Sequence, residues 1–261
     1  MIDLHTHILP NIDDGSRSID ETFELIKEAQ NAGFKSVVLT SHYMEGYYET
    51  NLHEREVLTN LIQNNFREKN IDIDVYIGNE IYMSDNLIKL LESGKASTIN
   101  NTSYVLFEMP LNVEPYNLYD IIYQMQQNKI VPILAHPERY SFIQKDLELM
   151  YDLIEKGVLM QANFGSIIGQ YGKKAQKTVR TFLNNNMIHL LGSDAHRHKT
   201  IYPRIPEAIK ELEKLISTEK LKELTTTNPE LILNNKKINI EEPNRIELTI
   251  KDKLLGILGR K

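Results

Sequence analysis

Acidic and histidine side chains recur at regular intervals along this chain, each directly after a short apolar run. Glu80, Glu108 and His136 are spaced 28 residues apart, and Asp194 follows His136 by 58 residues, or twice 29. One strand, one helix and two short loops occupy about that length. The spacing therefore predicts a strand and helix unit that repeats, with these four side chains at one common edge of the fold.

Seven apolar runs have the length and composition of buried parallel strands. Segments with helical periodicity separate them, and the first, residues 19–32, has Ser18 and Glu21 in capping-box spacing at its start. Strand and helix alternation repeated seven times favours an α/β fold of the (β/α) barrel type over an open doubly wound sheet. The strands are predicted near residues 2–5, 36–40, 74–79, 104–108, 130–135, 158–162 and 188–192.

The length of 261 residues and the hydrophobic content of 41% suit one barrel-sized domain. We predict that this domain spans residues 1–235 and that residues 236–261 form a polar and basic tail, either packed on the barrel or flexible. The apolar and basic segment at 251–261 is expected to be a frayed terminus rather than a membrane contact. Near the end of the domain, Asn228-Pro229 predicts a turn.

The net charge of −6 argues against nucleic acid as the main partner. The N-terminus lacks the basic start and long apolar core of a signal peptide, and no run approaches the roughly 20 apolar residues of a membrane helix. These features predict a cytoplasmic protein with no integral membrane segment. The chain contains no cysteine, which excludes disulfides, thiolate metal ligands and any cysteine nucleophile.

The side chains at the strand ends are those that bind metal ions. His5 and His7 point to the same face if residues 2–7 are extended, and the same spacing recurs at Asp194 and His196. Oxygen and imidazole ligands without sulfur suit Mn, Fe or Zn better than Ca or Cu(I). Further candidates at strand ends are His42, Glu80, Glu108 and His136, whereas His53, His189 and His198 are interpreted as surface or core histidines.

The order of motifs identifies a family resemblance. The chain carries His-Thr-His with Leu-Pro-Asn-Ile-Asp-Asp-Gly, Thr-Ser-His-Tyr, Gly-Asn-Glu, Phe-Glu, Ala-His-Pro-Glu-Arg and Gly-Ser-Asp-Ala-His, over residues 1 to about 200. This series resembles the polymerase and histidinol phosphatase (PHP) superfamily. More narrowly, it is similar to the manganese-dependent protein-tyrosine phosphatases of bacterial capsule and exopolysaccharide operons.

The resemblance implies a distorted (β/α)7 TIM-like barrel of the PHP type that holds three divalent ions, with Mn expected and Fe, Zn or Mg possible. It places Asp14 among the ligands, although Asp-Asp-Gly by itself is more often an ordinary turn. By resemblance, the first ion would be held by His5, His7, Glu80 and Asp194, the second by Glu80, Glu108 and His136, and the third by Asp14, His42 and His196.

The resemblance also implies a reaction, the hydrolysis of phosphotyrosine by a hydroxide that bridges two ions. Arg139 is predicted to bind phosphoryl oxygens through its planar fork. Family members carry a second arginine after Ser-Asp-Ala-His, but Ile201 aligns there; Arg197, Lys199 and Arg204 remain candidates, and Arg204 is the predicted one. The implied partner is the tyrosine-rich tail of a membrane-associated bacterial tyrosine kinase that regulates polysaccharide synthesis.

Other functions compete with this interpretation. A small-molecule phosphatase of the histidinol-phosphate type would use the same metals. A non-catalytic, metal-stabilised interaction module would tolerate loss of ligands, which the complete set of nine argues against. An amidohydrolase also begins with His-x-His, but it uses a lysine at a mid-barrel strand end, where this chain has Glu80 and Glu108.

Overall fold

Parallel strands form the frame of the protein. The structure is a computed structural model and describes residues 1–246. The strands are β1 (Ile2–Thr6), β2 (Ser36–Leu39), β3 (His42–Tyr43), β4 (Asp74–Ile77), β5 (Glu80–Tyr82), β6 (Tyr104–Glu108), β7 (Val131–Ala135), β8 (Leu159–Asn163) and β9 (Leu190–Gly192). They pair in the orders β1-β2-β4 and β3-β5-β6-β7-β8-β9.

The two sheets continue into one another around a ring. Two residues separate β2 from β3, and two separate β4 from β5, so each pair runs as one interrupted segment and the ring has seven segments. β1 and β9 are the end strands of the two sheets and lie next to each other. Between them, the His7 amide donates to the Ala195 carbonyl (3.0 Å) and the Asp194 amide donates to the His5 carbonyl (2.9 Å). These bonds link the carboxyl ends of β1 and β9. The predicted α/β fold, a distorted barrel, is confirmed.

Helices follow the strands and cover the ring. The first begins where predicted, because the Ser18 side chain accepts a hydrogen bond from the Glu21 amide (3.1 Å), and it buries Phe23 and Ile26. The helices are α1 (Ile19–Asn31), α2 (Leu52–Gln63), α3 (Phe66–Lys69), α4 (Leu87–Glu92), α5 (Leu118–Gln127), α6 (Glu148–Glu155), α7 (Phe164–Ile167), α8 (Gly172–Asn184), α9 (Ile205–Leu212), α10 (Thr218–Lys222) and α11 (Asn228–Leu233).

The chain after α11 closes the amino-terminal end of the barrel. Ser103, just before β6, donates to the Asn235 side chain (2.9 Å), and the Tyr104 hydroxyl donates to the Lys236 carbonyl (2.7 Å). Ile232 and Ile238 pack there in an apolar cluster with side chains of six strands. This end is apolar and sealed, so polar side chains can collect at the opposite, carboxyl end.

The described part of the predicted tail packs on the barrel. The Asn244 amide donates to the Asn185 carbonyl (3.0 Å), and Arg245 forms an ion pair with Glu148 (3.3 Å). The domain boundary at residue 235 stays a prediction, and the segment 251–261 lies outside the described residues. Among residues 1–246, no helix combines the length and the apolar character needed to cross a bilayer.

The predicted turn at Asn228-Pro229 is wrong, because α11 begins at this dipeptide. Pro229 lies in the first turn of the helix, where an amide has no partner within the helix and a proline removes no hydrogen bond. A π-helical segment, Glu223–Thr227, leads directly into it. The Asn228 side chain donates to the His189 carbonyl (2.9 Å), a long-range contact that local sequence rules do not describe.

Acidification should destabilise the protein through His189, which is 4% exposed and accepts a hydrogen bond from the Met160 amide (3.0 Å). Burial, aided by the charge of Lys220, lowers its pKa to about 3. The unfolded chain binds this proton near pH 6.5, so the free energy of unfolding should fall below that pH, by up to about 1.4 kcal/mol per pH unit. Urea unfolding between about pH 7 and 5 gives the free energy of unfolding of the wild type and of His189→Gln. We expect this free energy to fall more steeply with decreasing pH in the wild type; equal slopes would contradict the prediction.

Candidate metal centre

All nine predicted metal ligands meet at the carboxyl end of the barrel. They reach it because strand ends in a barrel share one rim. His5 lies in β1, His42 in β3, Glu80 at the start of β5 and Glu108 at the end of β6, and the other five, His7, Asp14, His136, Asp194 and His196, lie in the segments that follow β1, β7 and β9.

Glu80 lies at the middle of this set and is fully buried. Its Oε1 is 2.9 Å from His136 Nε2, and its Oε2 is 3.3 Å from the Nε2 atoms of both His5 and His7 and 3.1 Å from His42 Nδ1. Neither oxygen has a hydrogen-bond partner of acceptable geometry among the described residues. A buried carboxylate in this state is costly unless a cation is bound to it. The surroundings of Glu80 therefore fit a metal-bridging ligand.

His5 and His7 are held with one ring nitrogen free for a metal ion. His5 Nδ1 donates to Gln161 Oε1 (2.6 Å), and His7 Nδ1 donates to Asp13 Oδ2 (2.9 Å). The two Nε2 atoms lie 3.1 Å apart. Hydrogen bonds of this kind fix the tautomer and orientation of a metal-binding histidine. Both rings thus present their Nε2 atoms toward Glu80.

The two carboxylate oxygens of Asp194 make different contacts. Oδ1 faces the histidines, 3.5 Å from His5 Nε2 and 3.6 Å from His7 Nε2. Oδ2 accepts hydrogen bonds from Arg139 Nη1 and Asn163 Nδ2, both at 2.7 Å. Asp194 also has a left-handed backbone with φ 55°, a conformation that is uncommon for L-residues. One oxygen is therefore available to an ion while the other is anchored.

A second group forms on the more exposed side of the centre. Asp14 Oδ1 lies 3.4 Å from the Nε2 atoms of His42 and His196, and the Asp14 side chain is 54% exposed. His196 Nδ1 donates to the Asp194 carbonyl (3.0 Å), which leaves Nε2 for a ligand. Ligand atoms of Asp14, His42, His196 and His7 all lie within 4.8 Å of one another.

His42 also borders a third group. Its Nδ1 is 3.0 Å from Glu108 Oε1, whereas His136 Nε2 is 3.9 Å from Glu108 Oε2. Ligand atoms of His42, Glu80 and Glu108 lie within 4.8 Å of one another. His42 thus stands between the sets that the resemblance assigns to the second and third ions.

Opposite charges shift the pKa values throughout the centre. Burial alone would lower the pKa of His5, but Glu80 and Asp194 outweigh it and raise that pKa to about 9. Glu80 and Glu108 raise the pKa of His42 to about 12 against the same effect of burial. The histidines in turn hold the pKa of Glu80 well below its usual value despite its burial. Protonated imidazoles balance the carboxylates here, which is the role that divalent cations can take.

The sequence motifs do not reveal three residues that support the ligands, namely Asp13, Gln161 and Asn163. The Gln161 side chain donates to Asn163 Oδ1 (3.0 Å) and so links the supports of His5 and Asp194. Both residues are fully buried in β8. Two polar residues at alternate positions of a buried strand, which place their side chains on one face, were the available signal. Asp13 was hidden by its neighbour Asp14.

Asp13→Asn should weaken metal binding about 10- to 100-fold, the usual effect of losing a supporting carboxylate. Asp13 Oδ2 accepts hydrogen bonds from both His7 Nδ1 and the His42 amide (2.9 Å each). Burial raises the pKa of the Asp13 carboxyl, but its hydrogen bonds and the nearby histidines outweigh burial and lower that pKa. Titration of metal-stripped protein with Mn²⁺ measures the change. Asp20→Asn, an exposed carboxylate on α1, serves as the control; an Asp13→Asn midpoint equal to that of the control would refute the role.

The predicted arginines lie in different surroundings. Arg139 reaches the centre, in the turn Pro137–Arg139 that follows His136. Arg204 is 40% exposed, and its Nε donates to Glu207 (3.1 Å). Lys199 is exposed, whereas Arg197 is half-buried beside His196.

The histidines that were assigned to other roles lie outside the centre. His53 is exposed on α2, and the His198 Nδ1 atom lies 3.2 Å from the Glu21 carboxylate. His189 is buried just before β9, where it contacts Met160.

Comparison with known proteins gives consistent matches over the whole barrel. The family described as capsular polysaccharide synthesis, CpsB/CapC, matches residues 1–234. Tyrosine-protein phosphatase YwqE of Bacillus subtilis is 31% identical over 256 residues, covering 98% of this chain and 99% of YwqE. Tyrosine-protein phosphatase CpsB of Streptococcus pneumoniae is 29% identical over 240 residues, covering 89% and 98%.

A solved structure agrees with the fold. It comes from the crystal structures of YwqE from Bacillus subtilis and CpsB from Streptococcus pneumoniae, described as unique metal-dependent tyrosine phosphatases. The TM-score is 0.89 at 30% identity, and the match covers 95% of this chain and all of that chain. The matched residues 1–234 include all nine candidate ligands. This chain belongs to the CpsB/CapC family of capsular polysaccharide synthesis proteins.

Proposed function

We propose that this protein is a cytoplasmic, metal-dependent protein-tyrosine phosphatase. The observation that carries the proposal is Glu80, a fully buried carboxylate whose two oxygens lack hydrogen-bond partners among the described residues while four imidazoles surround it. Such a group needs cations. Membership of a family that includes proteins named tyrosine-protein phosphatases supplies the reaction.

We assign the nine side chains to three divalent ions, with Mn as the expected metal and Fe, Zn or Mg as alternatives. The sets are His5, His7, Glu80 and Asp194; Glu80, Glu108 and His136; and Asp14, His42 and His196. The close groups of ligand atoms support the first and third sets, and the 2.9 Å approach of His136 to Glu80 supports the second. The absence of sulfur ligands fits these metals.

When bound, such ions lower the pKa of a coordinated water toward about 7 and neutralise charge on a phosphoryl group, so that water can attack phosphorus at neutral pH. The side chains of the protein position the reactants. Arg139 is held by Asp194 beside the ligands, where its guanidinium can bind phosphoryl oxygens as negative charge builds on them. The chain has no cysteine that could serve as a nucleophile instead.

The leaving group favours tyrosine over serine as the phosphorylated residue. A phenolate with a pKa of about 10 leaves more readily than an alkoxide, so an aryl phosphate needs less help from a general acid. We infer that the partner is a phosphotyrosine protein, the tyrosine-rich tail of a membrane-associated bacterial tyrosine kinase that controls capsule or exopolysaccharide synthesis. The description of the family as capsular polysaccharide synthesis supports this assignment.

The test is hydrolysis of a phosphotyrosyl peptide by metal-stripped protein reloaded separately with Mn, Fe, Zn or Mg. We expect activity to return with at least one metal, and kcat/KM for the peptide to exceed that for histidinol phosphate at least about tenfold. A preference for histidinol phosphate would identify a small-molecule phosphatase. Absence of both activities in fully loaded protein would favour the interaction module.

A further inference from the structure

Arg55, on α2, is a fully buried arginine. It forms no salt bridge within residues 1–246, and its hydrogen bonds go to neutral oxygens instead of a carboxylate. Burial lowers its pKa to about 10, against a smaller opposite effect of Glu56, so the guanidinium is still charged at neutral pH. A buried charge without a partner of opposite sign is costly. What this guanidinium binds therefore indicates its role.

The Arg55 guanidinium joins two segments of the chain. Nη1 donates to the Gly78 carbonyl (2.6 Å), two residues before Glu80, and Nη2 donates to the Ser97 hydroxyl oxygen (3.1 Å). The Ser97 amide in turn donates to the side-chain oxygen of Asn79 (2.9 Å). Arg55 thus holds the backbone before Asn79 directly and holds the Asn79 side chain through Ser97.

Asn79 extends these contacts to the residues that precede two metal ligands. Its Nδ2 donates to the Ser41 carbonyl (2.8 Å), and the Glu80 amide donates to the same carbonyl (3.3 Å). Ser41 and Asn79 directly precede His42 and Glu80, which begin β3 and β5. Four linked residues that are at most 6% exposed form what we call the buried network, namely Arg55, Ser97, Asn79 and Ser41.

The buried network lies at the two interruptions of the strands. Regular pairing stops after β2 and β4 and resumes at His42 and Glu80, so the placement of these two ligands depends on the contacts made within the gaps. One backbone bond crosses there from the Glu80 amide to the Thr40 carbonyl (3.0 Å), and the Asn79 side chain adds a second link. His42 Nδ1 lies 3.1 Å from Glu80 Oε2. A shift of about 1 Å at either gap would disturb a ligand set that has to fit its ions closely.

We propose that Arg55 is a positioning residue for the metal centre and sets the spacing of His42 and Glu80 through Ser97 and Asn79. The inference rests on the proposed function, because it concerns the same ions. The planar guanidinium presents its donors at fixed angles and so holds two acceptors at once, whereas a lysine ammonium carries all its donors on one atom. Mn²⁺ binding should therefore depend on a residue that makes no hydrogen bond to any of the nine candidate ligands among the described residues.

Arg55→Met tests the proposal, because it keeps much of the length of the side chain and removes its donors. In titrations of metal-stripped protein with Mn²⁺, we expect the affinity to fall about tenfold, the lower end of the usual effect of losing a residue that supports metal ligands. Arg55→Lys should recover only part of the affinity, since one ammonium cannot replace both hydrogen bonds in their present geometry.

Ile62→Val is the matched control on the same helix. Ile62 is 1% exposed and packs in the apolar core outside the buried network. Loss of one methyl group should lower Tm by about 2 to 4 °C and leave the Mn²⁺ affinity within about twofold of the wild type. If Arg55→Met binds Mn²⁺ as tightly as Ile62→Val, Arg55 only stabilises the fold and the proposal is wrong.

Ser97→Ala gives an independent test that holds even if Arg55→Met does not fold. It removes the acceptor of Nη2 alone, and we expect the Mn²⁺ affinity to fall about threefold. In the Arg55→Met background the same change should cause little further loss, because the two residues act in series. Unchanged affinity in Ser97→Ala, or additive losses in the double variant, would overturn the proposal.

Failure of this inference and failure of the proposed function give different results. Mn²⁺ affinity is measured without substrate, so the role of Arg55 is decided whatever the protein hydrolyses. A wild type that binds Mn²⁺ but hydrolyses no phosphotyrosyl peptide with any metal would contradict the proposed function. An active wild type whose Arg55→Met variant keeps its full Mn²⁺ affinity would contradict the positioning role alone.

Discussion

Glu80→Gln should lower kcat/KM for aryl phosphates by about 10³-fold or more, equivalent to roughly 4 kcal/mol of transition-state stabilisation. Glu80 contacts four of the five histidines in the centre through its two buried oxygens. The amide keeps the shape of the side chain but removes its charge and one ligand oxygen, so it cannot bridge two cations. Kinetics over a range of Mn²⁺ concentrations, with metal content measured on the same samples, test this.

Two variants make the result specific to the bridging position. Glu92→Gln changes an exposed carboxylate at the end of α4 and should have no effect. Glu108→Gln removes a ligand that contacts fewer of the histidines and should cause a smaller loss than Glu80→Gln. If Glu80→Gln binds as many ions as the wild type and keeps activity within tenfold, the assignment of Glu80 as a bridging ligand fails.

The barrel and eight of its nine converging side chains were predictable because they follow from local patterns. Apolar runs identify strands, and the rule that strand ends share a rim brings Glu80, Glu108 and His136 together without any knowledge of distances. Only the identity of Asp14 depended on resemblance. The structure places its carboxylate between His42 and His196, at 3.4 Å from each.

The interruptions of two strands were not predictable from the runs. Between β2 and β3, Thr40 Oγ1 accepts from the Thr6 amide (2.9 Å), and between β4 and β5 the Asn79 side chain donates to the Ser41 carbonyl (2.8 Å). Side chains here replace bonds of the sheet ladder. Whether a side chain can make such a hydrogen bond depends on which strands are neighbours, and a single sequence does not specify this pairing.

The supports of the ligands were hidden for a similar reason. Gln161 and Asn163 reach β1 and Asp194 across the ring, so their role appears only when β8 is placed beside β9. The sequence leaves Arg197, Lys199 and Arg204 as candidates for the second arginine position after Ser-Asp-Ala-His, and Arg204 is the predicted one. In the fold, Arg197 lies beside His196 and Arg204 pairs with Glu207, a difference in surroundings that no local pattern indicates.

Removal of the metal ions should lower Tm by about 5 to 10 °C for each site that is saturated to about 100 times its Kd, since binding at that level contributes roughly 2.7 kcal/mol. Complete unfolding is not expected. Raised pKa values, about 9 for His5 and about 12 for His42, mean that imidazolium groups can balance the carboxylates when the ions are gone. Calorimetry on protein with verified metal content, before and after chelation, measures the shift.

Protonated His5 stabilises the folded protein fully below pH 6.5, which is its pKa in the unfolded chain. This stabilisation is lost as the pH rises through about 9, its pKa in the folded protein. Chelation should therefore lower Tm more at pH 9.5 than at pH 7. In Glu80→Gln, the difference in Tm between metal-loaded and metal-stripped protein should be smaller at both pH values, because the centre of this variant binds fewer ions. An unchanged Tm after verified metal removal would mean that the carboxylates are balanced without cations, and the three-ion assignment would then lose its physical basis.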